Sequence, residues 1–557
     1  MTKKKTTKKE PARPSKGKKK AGGKSIEESL WQACDKLRGS VESSEYKHIV
    51  LGLIFLKFAS DKFEQRREEL IEEGKEKYIE MKDFYAMENV FYLKETSRWS
   101  YIQKNAKQND LALIIDTALH TIEKNNPSLK GALPDNYFSR LGLDKTKLAS
   151  LIDKISEIDT IKDGSTDIVG RVYEYFLSKF ALKEGKGKGE FYTPKTIVNL
   201  IAEMIEPYKG IIYDPACGSG GMFVQSVKFI EAHHGDKKEV SIYGQEYTNT
   251  TYKLAKMNLA IRGISANLGE KAADTFAQDQ HKDLKADFIM ANPPFNQKDW
   301  RGADELIDDP RWRGYEVPPK SNANYGWILN MVSKLSENGV AGFILANGAL
   351  SGGGDEYKIR KKLIENDLVE AILILPRNMF YTTDISVTLW ILNKNKLGGI
   401  KDTGDEQRQL RNRKGEVLFM DLRQMGEPFE KKYIQLADTD IEKVTETYHQ
   451  WQSRPMVNDE LSMVNEGETK DINNLPLTIN PYKDVPEYCY SADFEEIEKK
   501  DFSLVPSKYI EFVNRDEYLD YEDQMEKLQG ELKELFAEEE RLKEEVKGVF
   551  EKLGYGI

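Results

Sequence analysis

Apolar residues recur at helical spacing through residues 26–161. Ile49, Leu53, Leu56 and Phe58 share one segment in which Gly52 is the single helix-weakening residue. Residues 112–122 supply a second helix, with Leu113, Ile114 and Leu119 available to a core, and Pro127 and Pro134 punctuate the loops beyond it. A third run, 168–180, leads into a loop with glycines at 185, 187 and 189. Phe191-Tyr192-Thr193-Pro194 follows, and Pro194 opens a helix predicted over 195–205.

The rhythm then changes. Short apolar runs at 210–214, 241–245, 288–291, 341–346, 369–373 and 386–392 alternate with helical stretches at 222–233, 248–260, 325–335 and 357–365. This alternation predicts an α/β fold with a mainly parallel, Rossmann-like sheet covered on both faces. Ligands of such sheets bind beyond the carboxyl ends of the strands. Residues 395–415 are polar, with Gly398-Gly399, and read as an excursion or hairpin; 417–421 adds a strand, and 454–480 is rich in loop residues. Beyond Val505-Pro506 the chain becomes charged and periodic, with Leu528, Leu532, Leu535, Leu542, Val546 and Phe550 on one stripe of a terminal helix. That stripe docks on its own body or joins a bundle with another chain. The expected division is a disordered basic tail (1–24), a helical domain (25–165), an α/β domain (166–480) and a helical extension (481–557).

Charge refines the picture. The formal net charge is -10, yet residues 1–24 carry ten Lys and one Arg against one Glu, leaving the remainder near -20. A body this acidic does not advertise unaided grip on a polyphosphate, so a partner is expected. Cys34, Cys217 and Cys489 are widely separated and fit neither a disulfide framework nor a thiolate metal site. His233-His234 reads as surface filler, and no metal site is expected. No apolar run has the length of a membrane span, and the N-terminus lacks a signal-like apolar segment, so a cytoplasmic location is expected.

Chemistry concentrates at the strand ends. Asp214-Pro215-Ala216-Cys217-Gly218-Ser219-Gly220-Gly221 closes the first strand, and its glycines let the backbone turn tightly against a ligand. Their spacing does not match the usual dinucleotide loop, and no Lys-Ser/Thr follows to hold a triphosphate. Glu246, 32 residues after Asp214, ends the second strand where a carboxylate accepts from both hydroxyls of a ribose. Asp274 offers a carboxylate to an adenine amine, or else caps a helix or sits at the surface.

Asn292-Pro293-Pro294-Phe295 lies 78 residues beyond Asp214, directly after an apolar strand. The lone pair of an aromatic exocyclic amine is delocalised into its ring. Acceptors for the amine hydrogens, such as the Asn292 side-chain oxygen and the Pro293 carbonyl, pull the nitrogen toward tetrahedral geometry and free that lone pair. The prolines stiffen the turn, and Phe295 offers a face on which an extruded base stacks. Taken alone, the motif is a tight turn after a buried strand. Asn347-Gly348 and Gly352-Gly353-Gly354 suggest a mobile rim.

These motifs, in this order, resemble the modification (M) subunits of type I restriction-modification systems, within the DNA adenine N6-methyltransferases. The likeness extends over nearly everything after residue 25. It implies a methyltransferase fold with S-adenosylmethionine as cofactor. Phe191, Tyr192, Thr193 and Pro194 then border its methionine end, Asp214, Ala216, Gly218, Ser219, Gly220 and Gly221 form the main cofactor motif, and Glu246 and Asp274 contact ribose and adenine. Asn292, Pro293, Pro294 and Phe295 become the catalytic motif. It also implies partners: double-stranded DNA, a separate specificity (S) subunit, a second M copy in a complex of two M subunits with one S subunit, and a motor-nuclease (R) subunit for restriction. A stand-alone or other defence-system adenine methyltransferase would need a fused recognition domain, and 395–500 is short and irregular for one. An idle nucleic-acid scaffold and an NAD oxidoreductase fit the motifs less well.

Overall fold

The computed structural model describes residues 28, 31, 43–157, 168–184, 192–380, 386–402, 407–429, 433–453, 482–513 and 521–552. The expected basic tail, the glycine-rich loop and the loop-rich 454–480 segment lie outside the described residues.

The strands are β1 (Gly210–Asp214), β2 (Val240–Gly244), β3 (Ala266–Asn267), β4 (Ala286–Ala291), β5 (Leu335–Ala346), β6 (Val369–Ile374) and β7 (Val387–Asn393), then β8 (Gly399–Asp402), β9 (Gln407–Leu410), β10 (Glu416–Asp421), β11 (Glu427–Phe429), β12 (Tyr433–Gln435) and β13 (Cys489–Asp493). One sheet runs β13-β10-β6-β7-β5-β4-β1-β2-β3. Its β3-to-β5 half is parallel throughout. On the other side β7 inserts antiparallel between β5 and β6, and β13 pairs antiparallel on β10. The predicted mainly parallel sheet is therefore observed, with β3 and β13 added by strands too short or too polar for the pattern to reveal.

Side chains alternate between two cores, as the pleat requires. Ile289, Ala341, Phe343 and Leu345 face the helices Asn324–Lys334 and Gly354–Glu365. Met290, Ile344, Ala371 and Leu373 face Lys195–Ile205 and Asp438–Gln452. The N-terminal helices, led by Ser43–Glu72, have a core of their own, and it continues into the α/β body through Leu254, Met257 and Ile261 of helix Asn249–Ile261.

The polar 395–415 segment does contain a hairpin, β8 on β9, but it is far from a loose excursion. Lys401 binds Glu206 at 2.7 Å, and Arg408 pairs with the same carboxylate. Arg413 is fully buried against Glu370, with Nε 2.9 Å from Oε1. Asn393 and Gln452 donate to the same Glu370 carboxylate at 2.6 and 3.1 Å. Polarity hid this from the sequence pattern: these charges are buried because they are paired. The C-terminal boundary also shifts. Tyr509 stacks on Phe419 at 4.0 Å and Ile510 is buried, so the body continues past Pro506. Helix Tyr521–Lys552 then exposes Leu528, Leu532, Leu535, Phe536, Leu542 and Val546.

Removing one member of a buried ion pair strands the other charge, at about 3–5 kcal/mol. Arg413→Met should lower stability by about that amount, and adding Glu370→Gln should restore much of it. Denaturant titration of both variants checks this. Equal losses in the single and double variants would show that the pair is not the source.

Candidate active site

Asp214 lies opposite Gly244, and Tyr213 lies opposite Ile289, so the carboxyl ends of β1, β2 and β4 fall at one level. Because β1 has β2 on one side and β4 on the other, this is the point where strand order reverses and a crevice opens. The loops leaving the three strands border a cavity of about 430 Å³.

The loop after β1 turns at Gly218 and Gly220, whose φ angles of +53° and +80° favour residues without a Cβ. Gly218, Ser219 and Ala216 line the cavity, whereas Gly220 and Gly221 shape it by starting helix Gly221–Ala232. Phe223 of that helix packs so closely on β2 that a Cβ at Gly244 would stand 2.8 Å from its ring. Asn258 anchors the loop by donating to the Ser219 carbonyl at 2.7 Å.

Glu246 lines the cavity. Its Oε2 accepts from Gly218 N at 3.1 Å and its Oε1 from Thr248 N at 2.8 Å, so the carboxylate is fixed to the glycine loop. Asp274 also lines it, while its Oδ1 accepts from the backbone of Phe276 and Ala277 at 2.7 and 3.0 Å. Asp274 thus caps a turn and not a helix, and it borders the cavity while doing so.

After β4, Asn292 and Pro294 line the cavity and Pro293 is buried beside them. Asn292 Nδ2 donates to Thr193 Oγ1 at 2.9 Å, and Asn292 Oδ1 is buried with no partner among the described residues. Phe295 is half-buried, edge-on to Phe380, and is not among the lining residues. Tyr192 lines the cavity, and Pro194 caps helix Lys195–Ile205; Phe191 lies outside the described residues. Gly348 and Gly352 do not form a loose rim. Tyr325 donates to the Ala349 carbonyl, Arg360 to the Gly352 carbonyl and Leu504 N to the Leu350 carbonyl, and none of these glycines lines the cavity.

Several lining residues escape sequence reasoning. Lys47, Leu177 and Phe180 come from the N-terminal helices, and Lys47 is the basic residue of the lining. Nothing in its local sequence separates it from other helix lysines; only docking of Ser43–Glu72 on helix Asn249–Ile261 brings it here. Trp300 and Trp327 flank Phe276, with ring centroids 4.4 and 4.3 Å from it. Gln297 Oε1 and Trp327 Nε1, like Asn292 Oδ1, are buried at the cavity without a partner among the described residues. Two fixed carboxylates, an aromatic wall and unpaired amide oxygens suit the hydroxyls and amines of a nucleoside.

Burial pushes the Asp214 carboxyl up to about 8; the Ala216 N–H opposes the shift and the Glu246 charge adds to it. Burial likewise raises the Cys217 thiol, which is a poor nucleophile there. Among the described residues, no group of His, Cys, Asp or Glu could hold a metal ion.

A crevice at the switch point of a mainly parallel sheet, lined by fixed carboxylates, aromatic rings and unpaired amide oxygens, suits a nucleoside-bearing cofactor and an amine, the pairing of a cofactor-dependent methyltransferase. Comparison with known proteins agrees. Residues 164–518 match the N-6 DNA methylase family, and residues 26–155 match the HsdM N-terminal domain. The HindI methylase subunit of Haemophilus influenzae, a type I restriction enzyme component, is 40% identical over 83% of this chain and 99% of its own length. The MjaIX methylase subunit of Methanocaldococcus jannaschii is 36% identical over 95% and 92%. A type I methyltransferase subunit from Streptococcus thermophilus shares the fold, with a TM-score of 0.68 at 22% identity over 87% of this chain and 99% of that one. The chain belongs to the N-6 DNA methylase family: it is a type I restriction-modification modification subunit, an adenine-specific DNA methyltransferase with S-adenosylmethionine as its cofactor.

The raised Asp214 pKa has a pH signature. With the folded pKa near 8 and the ordinary value 3.8, this group's favourable contribution is complete below about pH 4 and is lost as pH rises toward 8. Asp214→Asn keeps an acceptor for Ala216 and should flatten that decline in the ligand-free protein. Denaturant midpoints measured across the window check it, and an unchanged slope would assign the decline elsewhere.

Proposed function

We propose that methyl transfer to adenine N6 takes place at Asn292, on a base extruded from double-stranded DNA, and that a separate specificity subunit selects the base. The observation that carries the first part is Asn292 itself: it lines the cavity with Oδ1 buried and unpaired among the described residues, while its nitrogen is already engaged by Thr193. S-adenosylmethionine supplies an electrophilic methyl group. The chain's task is alignment and electrostatic support. Asn292 Oδ1 and the Pro293 carbonyl accept the amine hydrogens and free the nitrogen lone pair, Pro294 stiffens the turn, and Phe295 supplies an aromatic face beside it. Glu246 holds ribose hydroxyls and Asp274 the adenine amine of the cofactor. The turn Asp214, Ala216, Gly218, Ser219, Gly220 and Gly221 wraps it, and the segment Phe191 to Pro194 borders its methionine end through Tyr192, which lines the cavity.

The second part draws on assembly. The acidic body, which carries no long insertion fit to read bases among the described residues, favours delegated recognition. One S subunit then serves two M subunits, and an R subunit joins for restriction. The exposed stripe of helix Tyr521–Lys552 is the surface we assign to the contact with the S subunit. The division expected at 1–24, 25–165, 166–480 and 481–557 is carried into this reading with two changes: helix Ile168–Glu184 packs in the N-terminal core, and the α/β body runs on through β13 to the buried Ile510 before the extension begins. Among the described residues no helix is long and apolar enough to cross a membrane, in keeping with a cytoplasmic site of action.

Labelled methyl transfer to unmethylated DNA, assayed with and without the specificity subunit and followed by nucleoside analysis, should give N6-methyladenine only with the partner. Efficient sequence-specific methylation by the chain alone would place recognition within it. Asn292→Ala should abolish transfer and leave cofactor affinity largely intact; near-normal turnover removes Asn292 from the chemistry. Deletion of residues 521–557 should weaken association with the specificity subunit far more than cofactor binding, and unchanged assembly would relocate the contact.

A further inference from the structure

We infer that Thr193 is a positioning residue for the reaction: its hydroxyl holds the Asn292 carboxamide in place at the cavity, with Oδ1 toward the substrate amine. The inference rests on the role proposed for Asn292. A carboxamide has two ends of nearly equal shape and opposite hydrogen-bonding character. With Oδ1 toward the amine, Asn292 accepts. Rotated by half a turn, it sets its own N–H groups against those of the amine, and transfer stops. Sterics cannot choose between these states, and a hydroxyl, which donates as well as accepts, can bond either end; what a hydrogen bond to Thr193 fixes is where the carboxamide sits.

That bond is present. Thr193 Oγ1 accepts from Asn292 Nδ2 at 2.9 Å across 99 residues of chain, while Oδ1 has no partner among the described residues. Both ends are rigidly mounted. Thr193 is followed by Pro194, at φ -55°, whose carbonyl accepts from Ile197 N at 3.0 Å and Val198 N at 3.3 Å. The helix thus begun buries Ile197, Val198, Leu200 and Ile201 in the core. Asn292 directly follows the buried strand β4 and is itself followed by two prolines. Accepting from Nδ2 also satisfies a donor that would otherwise be stranded inside the protein. Tyr192 lines the cavity and Thr193 does not, so a direct cofactor contact is the less economical role for this hydroxyl.

The test uses the full chain with its specificity subunit, and measures kcat, KM for DNA and, calorimetrically, cofactor affinity. Thr193→Val keeps the shape and removes the acceptor; kcat should fall about tenfold or more, with cofactor affinity within about twofold of the parent. Thr193→Ser should recover most of kcat. Parental kcat in Thr193→Val, equal damage from Val and Ser, or a loss confined to cofactor affinity would each overturn the inference. If Asn292→Ala remains active, the reading beneath it fails instead.

Discussion

The level alignment of three parallel strands is the constraint on which the site depends. β4, β1 and β2 are locked by ladder bonds that set Asp214 against Gly244 and Tyr213 against Ile289. At about 3.3 Å of rise per residue, a slip of one position would move an entire strand end by the length of a bond to a ligand and turn every side chain to the opposite face. The burial of β1 and β4 against helices on both faces of the sheet forbids that slip. The carboxylate of Glu246, the glycine turn and the Asn292 carboxamide are therefore brought to one cavity by sheet geometry, and no local feature of any of the three loops could achieve it.

Much of this was legible in the sequence, for a physical reason. Strands buried on both faces must be apolar at nearly every position, so β1, β4, β6 and β7 stand out as runs, and helices between them show their own period. The turn residues at 214–221 and 292–295 are legible because their backbones demand glycine and proline. What stayed hidden depended on pairing or docking. Arg413 and Lys396 look like surface residues until their partners Glu370 and Asp367 are placed beside them. Lys47 carries no mark of its destination. β13 alternates weakly because it is an edge strand with half-exposed positions, and Tyr509 reads as linker until Phe419 is seen beneath it.

The electrostatic organisation follows the same logic. The cavity sets several carboxylates close together, and burial raises Asp214 so far that it is held largely as the neutral acid, sparing the fold a second charge beside Glu246. Away from the cavity, buried charge is neutralised in place, as with Glu206 by Lys401 and Arg408. Asn292 Oδ1, Gln297 Oε1 and Trp327 Nε1, left without partners among the described residues, mark where the cavity wall does not complete its own hydrogen bonding.

The wall formed by Lys47, Leu177 and Phe180 opposite Glu246 and Ser219 has a thermodynamic consequence. A molecule seated there touches the N-terminal helices and the sheet together, so its binding free energy is available only while the two remain joined. A cofactor seated in this cavity, as proposed, would act as a clasp between the halves of the polypeptide, tightening with the logarithm of its concentration. The supply of methyl donor would thereby govern how firmly this subunit holds together as well as how fast it works.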